Sequence, residues 1–497
     1  MTHPPSRRPS PTDSIGRARA AAPIEFIKAL GLWDVVWMNI VAVVGLRWIT
    51  RGARVGAPSV LLWLLACAAF FLPLAAAVAE LSSRYPEQGG LYAWTRRAFG
   101  PAHGFLCGWC LWVNNLFYFP SLLLFAAANL VPLLGSQYAG LADSRLFSTT
   151  FVLAGVWGCV GLNVLGFESG KWLQNVGAFA TWLPAALLIV AGTVALAMFG
   201  SATSFAPANL VPRTDVIGTL SLWSAMCFAF SGFEITSMVS QEVKDARRTL
   251  PLGVGLAGFA VAVIYIAGSA SVLVAVPADA LAERSGIADA IDVVAGRIGL
   301  AGLGGLTGLL LAVGSVAGTS SWFAGAARVP FAAGIDRTLP DALGRLHPRY
   351  RTPVVALVVQ GVASTVIFLS SLFLTVGGAS TTVQEAYDIM VNLTILIYFI
   401  PYLYLFATLV ALRRDGTPET NDERTLWVPG GRAGLWTAVV LGSGATLVSL
   451  ALVVVPPAGT TNVVNFEVNI AWQTVAILSV GLALYWHSTR RGGQVLP

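Results

Sequence analysis

The chain has 497 residues, of which 56% are hydrophobic and only 11% are charged. Because soluble globular proteins carry about 25% charged residues, this composition excludes a protein that folds in water alone. The formal net charge is +6. The cationic residues lie between apolar segments, so they indicate membrane topology, and no nucleic-acid partner is expected.

Apolar segments of about 20 residues, the length that crosses ~30 Å of hydrocarbon, recur along nearly the whole chain. They are apolar on all sides, whereas the strands of a membrane barrel alternate apolar and polar residues. The sequence therefore predicts an all-α integral membrane protein with 12 transmembrane helices. The predicted spans are residues 33–56, 59–83, 104–132, 149–167, 173–199, 219–241, 251–276, 300–327, 353–373, 386–411, 434–456 and 467–487.

Lys and Arg are concentrated in the amino-terminal tail and in alternate loops. Since positively charged loops stay on the cytoplasmic side, both termini are predicted to be cytoplasmic, in a plasma or bacterial inner membrane. Residues 1–28, rich in Pro, Ser, Ala and Arg, are predicted to be a disordered cytoplasmic tail. We expect a cytoplasmic loop at 412–433, helices 11 and 12 within 434–488, and a second cytoplasmic tail at 489–497.

The first span contains a glycine and a cation at membrane depth. Gly45 stands beside β-branched residues and weakens the helix, and Arg47 follows it closely. An ionisable residue within a span is a candidate functional residue, because a charge in hydrocarbon is costly. Two alternatives stay open: Gly45 permits close helix packing, or Arg47 extends outward beside Arg51 and Arg54.

The sixth span carries a similar interruption, with Ser231, Gly232 and Glu234 in an otherwise apolar helix. A charged and isolated carboxylate is costly there, so Glu234 is either protonated or paired, and Arg47 is its predicted partner. A carboxylate that can change between these two states suits proton coupling. A purely structural ion pair is the alternative.

Interruptions at matching places in two halves of a membrane protein point to the binding site of a transporter. Unwinding a helix frees backbone N–H groups, which favour an anion, and C=O groups, which favour a cation. An α-amino acid carries both charges. The two interruptions therefore predict a midplane site for an amino acid or a related amine.

Two stretches of the chain form more specific motifs. The first is Glu80–Trp94 followed by Arg97–Pro101, and the second is Phe230–Glu234 followed by Glu242–Pro251. With these motifs the chain resembles the amino acid-polyamine-organocation transporter superfamily, and in particular its amino acid permeases. The resemblance extends from about residue 30 to residue 411.

This resemblance implies a LeuT-type core at residues 29–411, built from two inverted five-helix repeats at about 33–199 and 219–411, with two further helices. Backbone N–H groups at the first interruption would hold the substrate carboxylate, and carbonyls at the second would hold its amine. Phe228 matches a gating aromatic residue, and Glu234 matches an acid involved in proton sensing. The substrate-binding residues so implied are Val44, Gly45, Leu46, Phe228, Ser231, Gly232 and Phe233.

The chain departs from the family pattern at the first interruption, where Val-Gly-Leu-Arg stands in place of Gly-x-Gly. We add Arg47 to the candidate site, because its charge would repel sodium and polycations and would favour a carboxylate, acidic substrates included. No cofactor or metal is expected, and the driving species is a proton gradient or a counter-substrate. A rival interpretation uses Arg47 only as a counter-ion for Glu234, which leaves a neutral amino acid as substrate.

Two further residues are candidates. Asn115, in the third span, would contact substrate or form an interhelical hydrogen bond. Asp388, near the start of the tenth span, would act in coupling or gating, although a helix dipole also favours an acid there. The loop at 133–148 lacks cysteine, so no disulfide-linked heavy chain is expected.

These features predict a secondary active transporter that moves amino acids across the bilayer by alternating access, through proton-coupled symport or substrate exchange. No enzymatic activity is expected, since no nucleophile with a base is visible at membrane depth. A transporter of polyamines or other organic amines is the alternative within this class. An amino acid sensor or channel that does not transport is the alternative from another class.

Overall fold

The computed structural model describes most of the chain, and every structural statement below concerns that part. The described residues are 30–85, 90–165, 167–212, 216–234, 243–281, 286–300, 302–327, 339–350, 352–374, 381–414, 426–456, 460 and 462–490. The predicted tail 1–28 lies outside them, as do parts of the predicted segments 412–433 and 489–497.

The described residues form α-helices, as expected of apolar segments that must satisfy their own backbone groups. The helix at Ser59–Arg84 contains a π-helical turn at Cys67–Phe71. The helices are α1 Leu32–Val43, α2 Arg47–Ala53, α3 Ser59–Arg84, α4 Leu91–Phe99, α5 Pro101–Leu134, α6 Arg145–Leu165, α7 Phe167–Phe199, α8 Val216–Ala229, α9 Ala246–Ala275, α10 Gly286–Arg297, α11 Leu303–Ala326, α12 Val354–Phe373, α13 Val383–Arg414, α14 Gly431–Leu452 and α15 Val463–Arg490.

Ten of the described helices are long and apolar enough to cross a membrane. They are α3, α5, α6, α7 (through its segment Phe179–Phe199), α9, α11, α12, α13, α14 and α15. The predicted first and sixth spans are not among them. The first is divided between α1 and α2. In the described part of the sixth, the helix ends at Ala229.

The outermost helices present apolar side chains to their surroundings. Val440 on α14 is 63% exposed, and Val475 and Trp486 on α15 are 64% and 57% exposed. Apolar side chains spread along whole helices are unfavourable in water and favourable in hydrocarbon. The surface therefore agrees with a bilayer around the protein.

The centre of the molecule is formed by α5, which packs against α11 and α13. Phe119 on α5 and Phe323 on α11 stack there, with ring centroids 4.5 Å apart. The helices α1 and α2 both pack against α9, and α2 also packs against α8. This arrangement brings the two interrupted segments together beside α9.

A buried ion cluster joins the end of α3 to the end of α13. Glu80 is fully buried and accepts hydrogen bonds from Arg413 Nε at 2.5 Å and from the Val428 amide at 2.9 Å. Arg413 Nη2 also donates to Glu80. Arg84 lies 3.5 Å from the same carboxylate and donates to the Leu412 carbonyl at 3.2 Å.

Candidate functional site

The first predicted interruption is present, since α1 ends at Val43 and α2 begins at Arg47. Between them, a Cβ atom on Gly45 would lie 2.6 Å from Trp48 Nε1, so the close approach requires glycine. The Gly45 amide donates to the hydroxyl of Tyr265 at 3.1 Å. That hydroxyl also lies 2.8 Å from the Val43 carbonyl. A tyrosine on α9 thus contacts two of the backbone groups that unwinding has freed.

The second interruption follows α8, which ends at Ala229. Gly232 has a φ of +104°, a backbone conformation that residues with a Cβ rarely adopt. Its amide lies 3.0 Å from the Tyr402 hydroxyl and 3.2 Å from Glu234 Oε2. The Tyr265 hydroxyl lies 3.2 Å from the Ala229 carbonyl, so one tyrosine contacts both interruptions.

Glu234 is fully buried and faces α13. The hydroxyl of Tyr398 donates to its Oε1 at 2.5 Å, and that of Tyr402 donates to Oε2 at 3.0 Å. Together with the Gly232 amide these groups are donors, which suits the acceptor oxygens of a carboxylate. The carboxyl group is therefore held by hydrogen bonds from α13 and from its own interruption.

The predicted pairing of Arg47 with Glu234 is wrong for the described residues. Arg47 turns toward α5, where its Nη1 donates to Ser121 Oγ at 2.9 Å. Its guanidinium carbon lies 4.4 Å from the Trp48 ring centre and 4.6 Å from the Tyr118 ring centre. The two side chains leave neighbouring interruptions in different directions, so proximity of the backbones did not produce an ion pair.

Arg47 is 1% exposed, so it does not extend outward as the snorkelling alternative required. Its Nε and Nη2 atoms are buried and have no hydrogen-bond partner within the described part of the chain. A guanidinium stays protonated in proteins. The side chain is therefore a buried cation with two N–H groups that no described residue satisfies.

A cavity of about 390 Å³ adjoins the first interruption. Four predicted site residues line it: Val44, Gly45, Leu46 and Arg47. Its other walls come from α5, α7 and α11, with polar contributions from Tyr118, Thr181, Ser315 and Ser321. Met38 and Gly325 also line it, so the cavity extends from the interruption toward the face of the membrane domain at which α1 begins and α11 ends.

The opposite face of the domain, beyond α2, contains a buried ion pair. Arg51 Nη1 lies 3.1 Å from Asp388 Oδ1, and Arg51 Nη2 donates to Asn392 Oδ1 at 3.0 Å. Gln384 donates to the other oxygen of Asp388 at 3.1 Å. Asp388, predicted as a coupling or gating residue, therefore joins α2 to α13, and its role in gating stays a prediction.

Phe228, near the end of α8, lies between α2 and α13. Its ring centre is 5.2 Å from that of Trp48 on α2 and 5.6 Å from that of Tyr398, both in edge-to-face contact. Aromatic pairs of this geometry add about 0.5–1.5 kcal/mol to the packing. The predicted gating position is thus part of an aromatic cluster that also touches the Glu234 site through Tyr398.

The structure does not bring every predicted residue to the cavity wall. Asn115 donates its amide group to the Leu111 carbonyl at 2.9 Å, one turn back on its own helix. Phe233 packs on Phe71, with ring centres 5.0 Å apart, and Ser231 lies within the second interruption. These three residues do not line the described cavity. Contact with substrate stays a prediction for each.

The residues predicted from the sequence do not include Tyr265, Tyr398 or Tyr402, whose hydroxyls form hydrogen bonds at the two interruptions. A signal was available, because the hydroxyl of a buried tyrosine usually has a hydrogen-bond partner. Tyr398 and Tyr402 are also four residues apart and so share one face of α13.

Many apolar spans, and two interrupted helices that meet beside a cavity with a buried arginine in its wall, define a multi-pass membrane transport protein. Comparison with known proteins agrees, since the family model described as amino acid permease matches residues 30–480. The chain therefore belongs to the amino acid permease family, and it is a transporter rather than an enzyme.

Three relatives show the range of the family. An uncharacterized transporter of Legionella pneumophila is 29% identical over 86% of this chain and 90% of its own length. A probable agmatine/putrescine antiporter of Lactococcus lactis is 24% identical over 74% of this chain and 76% of its own length. A glutamate/gamma-aminobutyrate antiporter of the same organism is 25% identical over 78% of this chain and 76% of its own length.

Proposed function

We propose that the protein is a secondary active transporter that moves amino acids across a cell membrane by alternating access. The observation that carries this proposal is the joining of both helix interruptions by Tyr265, next to a cavity lined by Arg47. Interrupted helices that meet at membrane depth provide the backbone and charged groups that an amino acid needs, and a small rotation of one segment alters the site.

The polar groups of the cavity match the two ends of an amino acid. Arg47 offers only hydrogen-bond donors, which suit a carboxylate. Ser315, Ser321 and Thr181 each donate their hydroxyl hydrogen to a carbonyl one turn back, at 2.7, 3.0 and 2.9 Å. Their oxygen lone pairs are left as acceptors, which suit an ammonium group. A zwitterion therefore fits this wall chemistry.

The asymmetry of the site supports alternating access. The cavity extends toward the face where α1 begins, whereas Arg51 with Asp388 and the ring of Phe228 stand between the interruptions and the opposite face. We propose 12 spans, counting the two interrupted segments with the ten continuous helices, in two inverted five-helix repeats plus two helices. With both termini in the cytoplasm, the cavity would extend toward the cytoplasm.

Glu234 is the group we propose for coupling to protons. It is buried, lies beside the second interruption and is held by two tyrosine hydroxyls that can donate or accept. Gain of a proton would let the carboxyl group donate one hydrogen bond, so one of the two tyrosine contacts would reverse and the contact between α13 and the interruption would change. Substrate exchange without net proton movement is the second mode of coupling.

An organic amine is the second candidate substrate, because one relative is named an agmatine/putrescine antiporter. The buried guanidinium of Arg47 argues against it, since two cations in one low-dielectric cavity repel each other strongly. A sensor or a channel would use the same binding site without moving its ligand against a gradient.

Uptake by the purified full-length protein in proteoliposomes separates these functions. We expect a labelled amino acid to accumulate when the lumen is alkaline relative to the bath, as proton symport requires, or when it is preloaded with substrate. Uptake of labelled putrescine serves as the comparison. Binding without flux under any of these conditions would support a sensor, and flux that only dissipates a gradient would support a channel.

A further inference from the structure

The cavity next to the first interruption carries a positive charge that its own walls do not neutralise. Among the described residues that line it, Arg47 is charged and none is acidic. Two buried acids outside the cavity wall have partners of their own: Glu234 with Tyr398 and Tyr402, and Asp388 with Arg51. A buried charge without a counter-charge is unfavourable, so a bound anion that neutralises the guanidinium would be stabilised in this cavity.

We propose that the transported substrate is an amino acid with an acidic side chain, which carries one net negative charge. The inference rests on the proposed function and names the substrate class of that same site. Arg47 binds the side-chain carboxylate, and the acceptor oxygens of Ser315, Ser321 and Thr181 face the ammonium group.

The orientation of Arg47 supports a carboxylate as the anion. Its Nη1 is held by Ser121, and the rings of Trp48 and Tyr118 lie over the guanidinium, so the side chain is fixed. The atoms left without a partner are Nε and Nη2. These two N–H groups form one edge of the guanidinium, and two parallel N–H donors match the two oxygens of a carboxylate.

Charge neutrality distinguishes the acidic class from other amino acids. A neutral amino acid is a zwitterion and brings no net charge, so Arg47 and the ammonium group would share one carboxylate. A basic amino acid or a polyamine adds cations to a cavity that already holds one. An acidic amino acid brings a carboxylate for the guanidinium and a second carboxylate for its own ammonium group, and the loaded cavity is then neutral.

The test compares L-glutamate with L-glutamine, which have nearly the same shape and differ by one negative charge. Binding of each to the purified full-length protein is measured by competition against labelled L-glutamate, and uptake of each is measured in proteoliposomes. We expect L-glutamate to bind on the order of 10- to 100-fold more tightly, as a charged hydrogen-bonded pair does relative to a neutral one. L-aspartate and L-asparagine form a second matched pair.

Variants of Arg47 connect this preference to the guanidinium. We expect Arg47→Gln to abolish the preference for glutamate over glutamine, and Arg47→Lys to retain part of it because lysine keeps the charge without the paired donors. Arg432→Gln removes an exposed arginine outside the cavity and should leave both affinities unchanged.

The outcomes separate this inference from the proposed function. Glutamine bound or transported as well as glutamate by the unaltered protein overturns the acidic class while the transporter remains. A preference for glutamate that persists in Arg47→Gln overturns the role of Arg47. No binding or transport of any amino acid overturns the proposed function itself. The comparison of the two ligands on the unaltered protein stands even where a variant fails to fold.

Discussion

The hydroxyl of Tyr265 accepts the amide hydrogen of Gly45, with 3.1 Å between nitrogen and oxygen. The same oxygen lies 2.8 Å from the Val43 carbonyl and 3.2 Å from the Ala229 carbonyl. A hydroxyl has one hydrogen to donate, so it bonds one of these carbonyls at a time. Movement of one interrupted segment relative to the other therefore changes the partner that Tyr265 selects.

Replacing Tyr265 by phenylalanine removes this link and keeps the ring. The Gly45 amide and a carbonyl are then left without a partner in a buried place, which costs about 1–3 kcal/mol. We expect Tyr265→Phe to lower the midpoint of thermal unfolding by several degrees and to slow uptake in proteoliposomes. Ring stacking on Trp63, at 4.8 Å between centres, is retained and keeps the fold intact.

Tyr485→Phe provides a matched control. Tyr485 lies on the outermost helix α15 and contacts Phe105 through its ring, at 5.2 Å between centres. The same loss of a hydroxyl there should change neither unfolding nor uptake. Equal effects of the two substitutions would show that the Tyr265 hydrogen bonds do not link the interruptions.

Glu234→Gln tests the coupling role of the buried acid. The substitution preserves shape and removes the group that can exchange a proton. We expect uptake in proteoliposomes to lose its response to a pH gradient, while exchange against preloaded substrate continues. Glu467, an exposed acid on α15, gives the control Glu467→Gln, which should keep the response. An unaltered pH response in Glu234→Gln contradicts the proposed coupling.

Much of the fold could be predicted from sequence because its signals are local. Apolar windows place the spans, and Gly45 and Gly232 mark the two interruptions within a few residues. The partners at the interruptions could not be predicted, because they depend on which distant helix packs alongside. Arg47 and Glu234 are examples. The sequence predicts where each residue lies along its span, but it does not predict the direction in which the side chain points.

The coupling free energy between Arg51 and Asp388 can be measured separately from the contribution of each charge to stability. Breaking a buried ion pair by removing one partner costs about 3–5 kcal/mol. We expect Arg51→Met and Asp388→Leu each to lower the unfolding midpoint strongly, and the double variant to recover much of that loss. A double variant whose effect equals the sum of the two single effects would show no coupling between these side chains.

The same pair should also affect transport if it closes the face beyond α2. With the double variant folded, the barrier to opening that face is lower because the ionic contact between α2 and α13 is gone. We expect exchange to continue and an impermeant thiol reagent to reach a cysteine introduced at Trp48 faster than in the unaltered protein. An equal rate of labelling means that Arg51 and Asp388 do not contribute to closure.

Neighbouring arginines at the end of α13 allow a sharp test of the Glu80 cluster. Arg413 donates to both oxygens of Glu80, whereas Arg414, the next residue, is exposed. We expect Arg413→Gln to cost about 1.5–3 kcal/mol, the range for a charged hydrogen-bonded contact, and to lower the unfolding midpoint by a few degrees. Arg414→Gln loses the same charge one residue away and should leave the midpoint unchanged.

Because Arg84 and the Val428 amide still contact Glu80 in the Arg413 variant, the cluster weakens without leaving the carboxylate alone. Equal midpoints for the two variants would mean that the contact between α3 and α13 adds nothing to stability.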